Sequence, residues 1–120
     1  MQLTDERRTH IRLLCSELIE IAWSDTSGRQ IRRIANLEDI SASGFSFQIE
    51  KSIPAGTAVS MLCRMNTLTG MVRYCRSCEM GYLVGIELDK AYEWSVQLFR
   101  PKHLLNPSDL VSYANPLSCG

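Results

Sequence analysis

A chain of 120 residues, 45% of them hydrophobic, is enough for one domain with its own core. Thirteen basic and thirteen acidic side chains cancel, which argues against a nucleic-acid surface and against a membrane-attracted patch. Asp5, Glu6, Arg7 and Arg8 interrupt the N-terminus at once, so no secretory leader is expected, no apolar run reaches spanning length, and the expected location is cytoplasmic.

Residues 1–13 are polar and charge-rich and read as an arm. The run from Leu14 to Trp23 has two readings. Leu13, Leu14, Glu17, Leu18 and Ile21 fit a helical period, but the turn-forming Ser24-Asp25-Thr26-Ser27-Gly28 and the run after it favour a β-hairpin. Gln30 to Ala35 is a second strand leading into a loop at Asp39–Gly44. Gly44 to Glu50 alternates most clearly, with Phe45, Phe47 and Ile49 on one side and Ser46, Gln48 and Glu50 on the other. Pro54-Ala55-Gly56 is a turn. Ala58–Met65 and Gly70–Cys75 are strands separated by a turn at Asn66–Thr69. Gly81–Leu88 is the last strand, with Tyr82, Val84, Ile86 and Leu88 on one face. Short strands at this interval predict a small antiparallel barrel.

After Asp89 the pattern changes. Ala91, Trp94, Val96, Leu98 and Phe99 fit a helix, with Asp89 as its N-cap and Pro101 at its end. The expected organisation is an arm over 1–13, a barrel with a terminal helix over 14–100 and a tail over 101–120. Ile40, Trp23 and Trp94 are expected in the core, and Met61, Met65, Met71 and Met80 as ordinary packing. Arg73 reads as an outward-facing barrel residue.

The five cysteines, Cys15, Cys63, Cys75, Cys78 and Cys119, are odd in number and irregular in spacing, unlike a disulfide scaffold. Cys75-Arg76-Ser77-Cys78 is nominally C-x-x-C. It lacks a second pair or histidines at metal-ligand spacing, because His10 and His103 are isolated. It also falls between strands rather than at a helix start. No metal or redox role is expected of it. A catalytic inventory is missing as well: there is no G-x-S-x-G, no phosphate-binding glycine loop and no partner for either histidine.

Two patterns do carry chemistry. Arg8 and Arg12 stand as R-x-x-x-R, and Asp39, Ser41 and Gly44 as D-x-S-x-x-G. A guanidinium fork fits phosphate oxygens, reads the O6 and N7 acceptors of guanine and stacks on a base. A carboxylate accepts from the N1 and N2 donors on guanine's other edge. A serine hydroxyl donates to phosphate or turns the backbone, and glycine permits close approach or positive φ. Each pattern is weak alone; together they describe a ligand bearing both phosphates and guanines.

Glu6 to Arg12, Asp39 to Phe45, and the pair Gly70–Tyr74 and Gly81–Leu88 resemble the PilZ domain family, over roughly residues 6–100. The resemblance implies an all-β fold, a six-stranded antiparallel split barrel with a C-terminal α-helix, and a binding activity without catalysis. It implies cyclic di-GMP as the ligand, with Arg7, Arg8 and Arg12 on phosphates and guanine, Asp39 on the guanine N1/N2 edge, Ser41 on a phosphate or the loop, and Gly44 as backbone relief. It also implies a single-domain receptor that orders its arm on binding and signals to a downstream protein, whose identity and whose pathway the sequence does not give. Two alternatives stand beside it. One is a PilZ-like interaction module without nucleotide. The other is a small oligonucleotide-binding barrel, which would want a basic groove with exposed aromatics.

Overall fold

The computed structural model describes residues 11–90 and 93–107. Arg7 and Arg8, most of the expected arm, and residues 108–120 of the expected tail lie outside them. Six strands follow one another: β1 (Leu13–Ser24), β2 (Gln30–Ser41), β3 (Gly44–Ile49), β4 (Ala58–Cys63), β5 (Asn66–Cys78) and β6 (Gly81–Leu88). They close an antiparallel barrel in the order β1-β2-β3-β6-β5-β4. The seam between β1 and β4 is short, from Glu20↔Leu62 to Trp23↔Val59.

Alternation settles the two readings of β1. Cys15, Glu17, Ile19, Ile21 and Trp23 point inward, while Leu18 is 70% exposed, which no single buried helix face would allow. The β1–β2 turn is built on Asp25. Its Oδ1 accepts from Ser27 N at 2.9 Å, Ser27 Oγ at 2.7 Å and Arg29 N at 2.9 Å, and Gly28 supplies the positive φ of 87°. The β4–β5 turn lies two residues earlier than expected. Arg64 and Met65 take φ of 48° and 82°, a tight two-residue hairpin with Cys63 paired to Asn66. Thr67 and Thr69 are therefore strand residues, as their β-branched side chains suit.

Phe45, Phe47, Leu37, Ile40, Met61, Val72 and Val84 fill the interior, with Phe45 and Phe47 ring centroids 6.0 Å apart. The methionines divide. Met61 is core, whereas Met65, Met71 and Met80 are exposed, because the first and last sit in hairpin turns and Met71 faces outward from β5.

No helix is present in residues 93–106, where one was expected to begin after Asp89; Ala91 and Tyr92 are outside the described residues. Trp94 and Phe99 of that stretch serve as anchors instead, while Val96 and Leu98 are exposed. Trp94 N donates to Ala42 O at 3.2 Å and its Nε1 to Phe99 O at 3.1 Å, and the two buried rings meet edge-on. The segment beyond Pro101, expected as the start of the tail, bonds to β1: Ser16 N donates to Lys102 O at 3.0 Å, and Leu14 and Leu105 exchange two bonds of 2.7 Å.

This segment is fastened by one buried carboxylate. Glu17 points into the barrel and accepts from Lys102 N at 2.7 Å, from Arg64 Nε at 2.9 Å and Nη2, and from the Cys63 thiol at 3.4 Å. Arg64 also donates to Arg100 O at 2.9 Å. Burial opposes the Glu17 charge, but the Lys102 N–H, Arg64 and the thiol outweigh it and hold the carboxyl below its ordinary value. Burial and the same carboxylate push the Cys63 thiol up to about 11. No helix among the described residues is long and apolar enough to cross a membrane.

Candidate functional site

The outer wall carries an unusual row, and two bulges produce it. In β2, pairing with β3 runs Leu37↔Phe47 and then Asp39↔Ser46, so Glu38 is an extra residue. In β5, pairing with β6 runs Val72↔Ile86 and then Tyr74↔Gly85, so Arg73 is extra. One inserted residue reverses the in–out parity of everything beyond it. Leu37 and Val72 point in; by simple alternation Asp39 and Tyr74 would too. The bulges turn both outward and bring Ile40 to the core, as expected for Ile40.

Register then lines up Asp39, Ser46, Gly85 and Tyr74 across four neighbouring strands. Asp39 Oδ2 accepts from Ser46 Oγ at 2.7 Å. Arg12 lies over the same row, with Nε at 3.2 Å and Nη2 at 2.8 Å from Asp39 Oδ1. The Arg12 side chain remains 53% exposed. Partial burial works against its charge, but the Tyr74 phenol and the Asp39 carboxylate hold the guanidinium above its ordinary value. Ser46, on the face of β3 opposite Phe45 and Phe47, is buried beneath this group.

The adjacent cleft has a volume of about 370 Å³, within the range of small-molecule sites, and is bordered by Arg12, Ser43, Gly44, Arg73, Tyr74 and Glu87. Arg73 Nη1 and Glu87 Oε1 pair at 2.9 Å, with both side chains more than half exposed. The cleft thus offers two guanidiniums, one carboxylate and one aromatic ring around a floor of backbone.

Of the residues singled out in the sequence, Arg12, Asp39, Ser41 and Gly44 come together here. Asp39 and Ser41 are strand residues rather than members of a loop; only Ala42 and Ser43 form the turn. Ser41 Oγ donates to Gly44 O and accepts from Ser43 N, each at 3.3 Å, so its hydroxyl shapes the turn. Gly44 does not take positive φ. A Cβ there would stand 2.2 Å from Ile86 O, so glycine is required by close strand approach. Tyr74, Gly85, Ser46 and Glu87 were not singled out as site residues, and Arg73 was read first as an outward-facing barrel residue and only second as ligand-facing. The β2 bulge breaks the alternation, with core residues three apart at Leu37 and Ile40, but that break does not say which side chains the neighbouring strands bring beside it.

Elsewhere, Cys75 is half-buried and Cys78 exposed, both as free thiols. No group of three or more His, Cys, Asp or Glu among the described residues is arranged to hold a metal. Comparison with family models, curated proteins and solved structures gives no match for this chain.

Proposed function

We propose that this barrel is a PilZ-like receptor that binds cyclic di-GMP on its outer wall, in the cytoplasm, and does so without chemistry. The observation that carries the reading is the Arg12–Asp39 fork set beside the cleft at the Ser41–Gly44 turn. Asp39 matches the N1/N2 donors of guanine, and Arg12 matches a phosphate or the guanine O6/N7 edge. In the described state these two groups satisfy each other. A ligand presenting both complements would take each of them separately, exchanging one exposed ion pair for two charge-assisted contacts.

Arg8, four residues before Arg12, would add a second guanidinium to the bound ligand, with Arg7 as a further phosphate contact. The bound nucleotide and the N-terminal segment together would then present a new surface to a downstream protein. Mixed charge around the cleft, Arg73 beside Glu87 and Arg12 beside Asp39, favours a compact ligand over a long single strand, which needs a continuous basic track.

Isothermal calorimetry with cyclic di-GMP on the wild type, Arg8→Ala, Arg12→Ala and Asp39→Ala tests this, with GMP and a single-stranded oligonucleotide as controls. Wild-type binding at micromolar protein and a loss of tenfold or more in each variant are expected. Absence of wild-type binding sinks the receptor reading. Preference for the oligonucleotide transfers the site to the rival barrel function. Binding that survives loss of both arginines sinks the assignment of residues.

A further inference from the structure

Tyr74 is placed in a way that sheet packing alone does not require. The bulge at Arg73 turns it out of the core and opposite Gly85. Its ring lies flat on that glycine: a Cβ at position 85 would stand 2.1 Å from Cε2, 2.3 Å from Cζ and 2.8 Å from Cδ2. A side chain of any size at 85 would evict the ring. The guanidinium carbon of Arg76 stands 4.9 Å from the ring centroid, while the hydroxyl end reaches towards Arg12. The ring also borders the cleft.

One face of this ring is thus fixed by backbone and its outer side is covered by an arginine. Among the described residues Arg76 has no carboxylate partner, and its side chain is exposed. An exposed guanidinium over a ring is a weaker contact than a nucleobase stacked on one. A flat ring with a fixed inner face and a displaceable cover, bordering a cleft with two further guanidiniums, is a seat for a purine.

We infer that Tyr74 is the base-stacking residue of this cleft: held on Gly85, its ring receives a purine of the ligand in the place that Arg76 occupies. The inference rests on the nucleotide reading above. A purely structural role exists for such a pair, since an aromatic laid across a cross-strand glycine stabilises sheets. The two roles predict different things.

The test is cyclic di-GMP titration of the full chain by calorimetry, with thermal unfolding of each variant alongside. Tyr74→Phe keeps the ring and is expected to bind within about twofold of wild type. Tyr74→Leu is expected to bind on the order of tenfold more weakly or worse. Arg76→Ala removes the cover and is expected to bind roughly twofold to fivefold more tightly. A folded Tyr74→Leu that binds like wild type overturns the stacking role and leaves the receptor reading intact. If Tyr74→Leu does not fold, Arg76→Ala decides, and weakened binding there overturns the proposal. No binding by the wild type overturns the receptor reading and this one with it.

Discussion

Two arginine–carboxylate pairs join distant parts of this chain, and their surroundings are opposite. Glu17 is buried and saturated, taking donors from Arg64, Cys63 and the Lys102 backbone, while Arg64 is held further by Arg100 O. Among the described residues Asp39 shares only Arg12 and Ser46 Oγ, on the outer wall beside an open cleft. The side-chain exposures of the two carboxylates are 7% for Glu17 and 19% for Asp39. A saturated buried ion has no donor left to exchange and serves the fold. An ion pair at a cleft, with solvent on one side, gives up its partner at little cost, as the proposed binding role requires.

The largest expected effect lies on the buried side. Glu17→Ala leaves the Lys102 N–H unpaired and takes from Arg64 its carboxylate, at the point where β1, the β4–β5 turn and the 100–105 segment meet. It is expected to lower unfolding free energy by about 3 kcal/mol, measured by urea denaturation. Asp39→Ala in the same assay is expected to cost less, about 1–2 kcal/mol, most of it from the buried Ser46 hydroxyl that loses its acceptor. Equal losses would break the distinction between a structural pair and an exchangeable one.

Gly44→Val comes next. Its Cβ would meet Ile86 O at 2.2 Å, a backbone atom that cannot step aside alone, so β3 and β6 must separate. A loss of about 2 kcal/mol is expected by thermal unfolding. The motif glycine would thus behave as a structural residue that happens to border the cleft. A stable Gly44→Val that fails only in binding would instead move it to the exchangeable side.

Much of this architecture was legible in the sequence, and the exceptions have physical causes. Alternation in Phe45–Ile49 and Val84–Leu88 revealed strands because each has one face in the core and keeps its parity. Trp23, Ile40 and Trp94 were legible as core from size and apolarity. The apolar spacing from Trp94 to Phe99 suggested a helix, yet those rings pack on each other while the neighbouring backbone bonds to Ala42 and β1, a long-range competition no local period reports. The Asn66–Thr69 turn was misplaced because Arg64 and Met65, neither a usual turn residue, adopt the positive φ. At the site, Arg12 and Asp39 were legible as chemistry, but not that they bond to each other. Tyr74 was invisible as a site residue because its direction depends on a bulge, which is a property of paired strands.

Acid titration reads the buried pair through a smaller effect. The Glu17 carboxyl lies below its ordinary value of 4.5 when folded. A depressed folded pKa gives stability that is complete above the unfolded value and is lost as pH falls through the folded one. The stability difference between wild type and Glu17→Gln is therefore expected to be constant from about pH 7 to about pH 5 and to shrink at more acid pH. Urea midpoints taken across that range measure it. A difference that grows with acidity would mean that the buried carboxyl is already protonated when folded.

The smallest effect is expected at Arg12, and it sharpens the comparison most. Removing Arg12 takes away an ion pair whose arginine is 53% exposed. In solvent such a pair contributes about 0–1 kcal/mol, and Asp39 keeps the Ser46 hydroxyl and gains water. Arg12→Ala is therefore expected to unfold within about 1 kcal/mol of wild type in urea, while losing cyclic di-GMP affinity by tenfold or more. Added salt should narrow even that small stability difference, since exposed pairs are screened, and should leave the Glu17→Ala deficit nearly unchanged. A large, salt-insensitive loss in Arg12→Ala would mean that the fork on Asp39 closes the barrel rather than waiting on its surface.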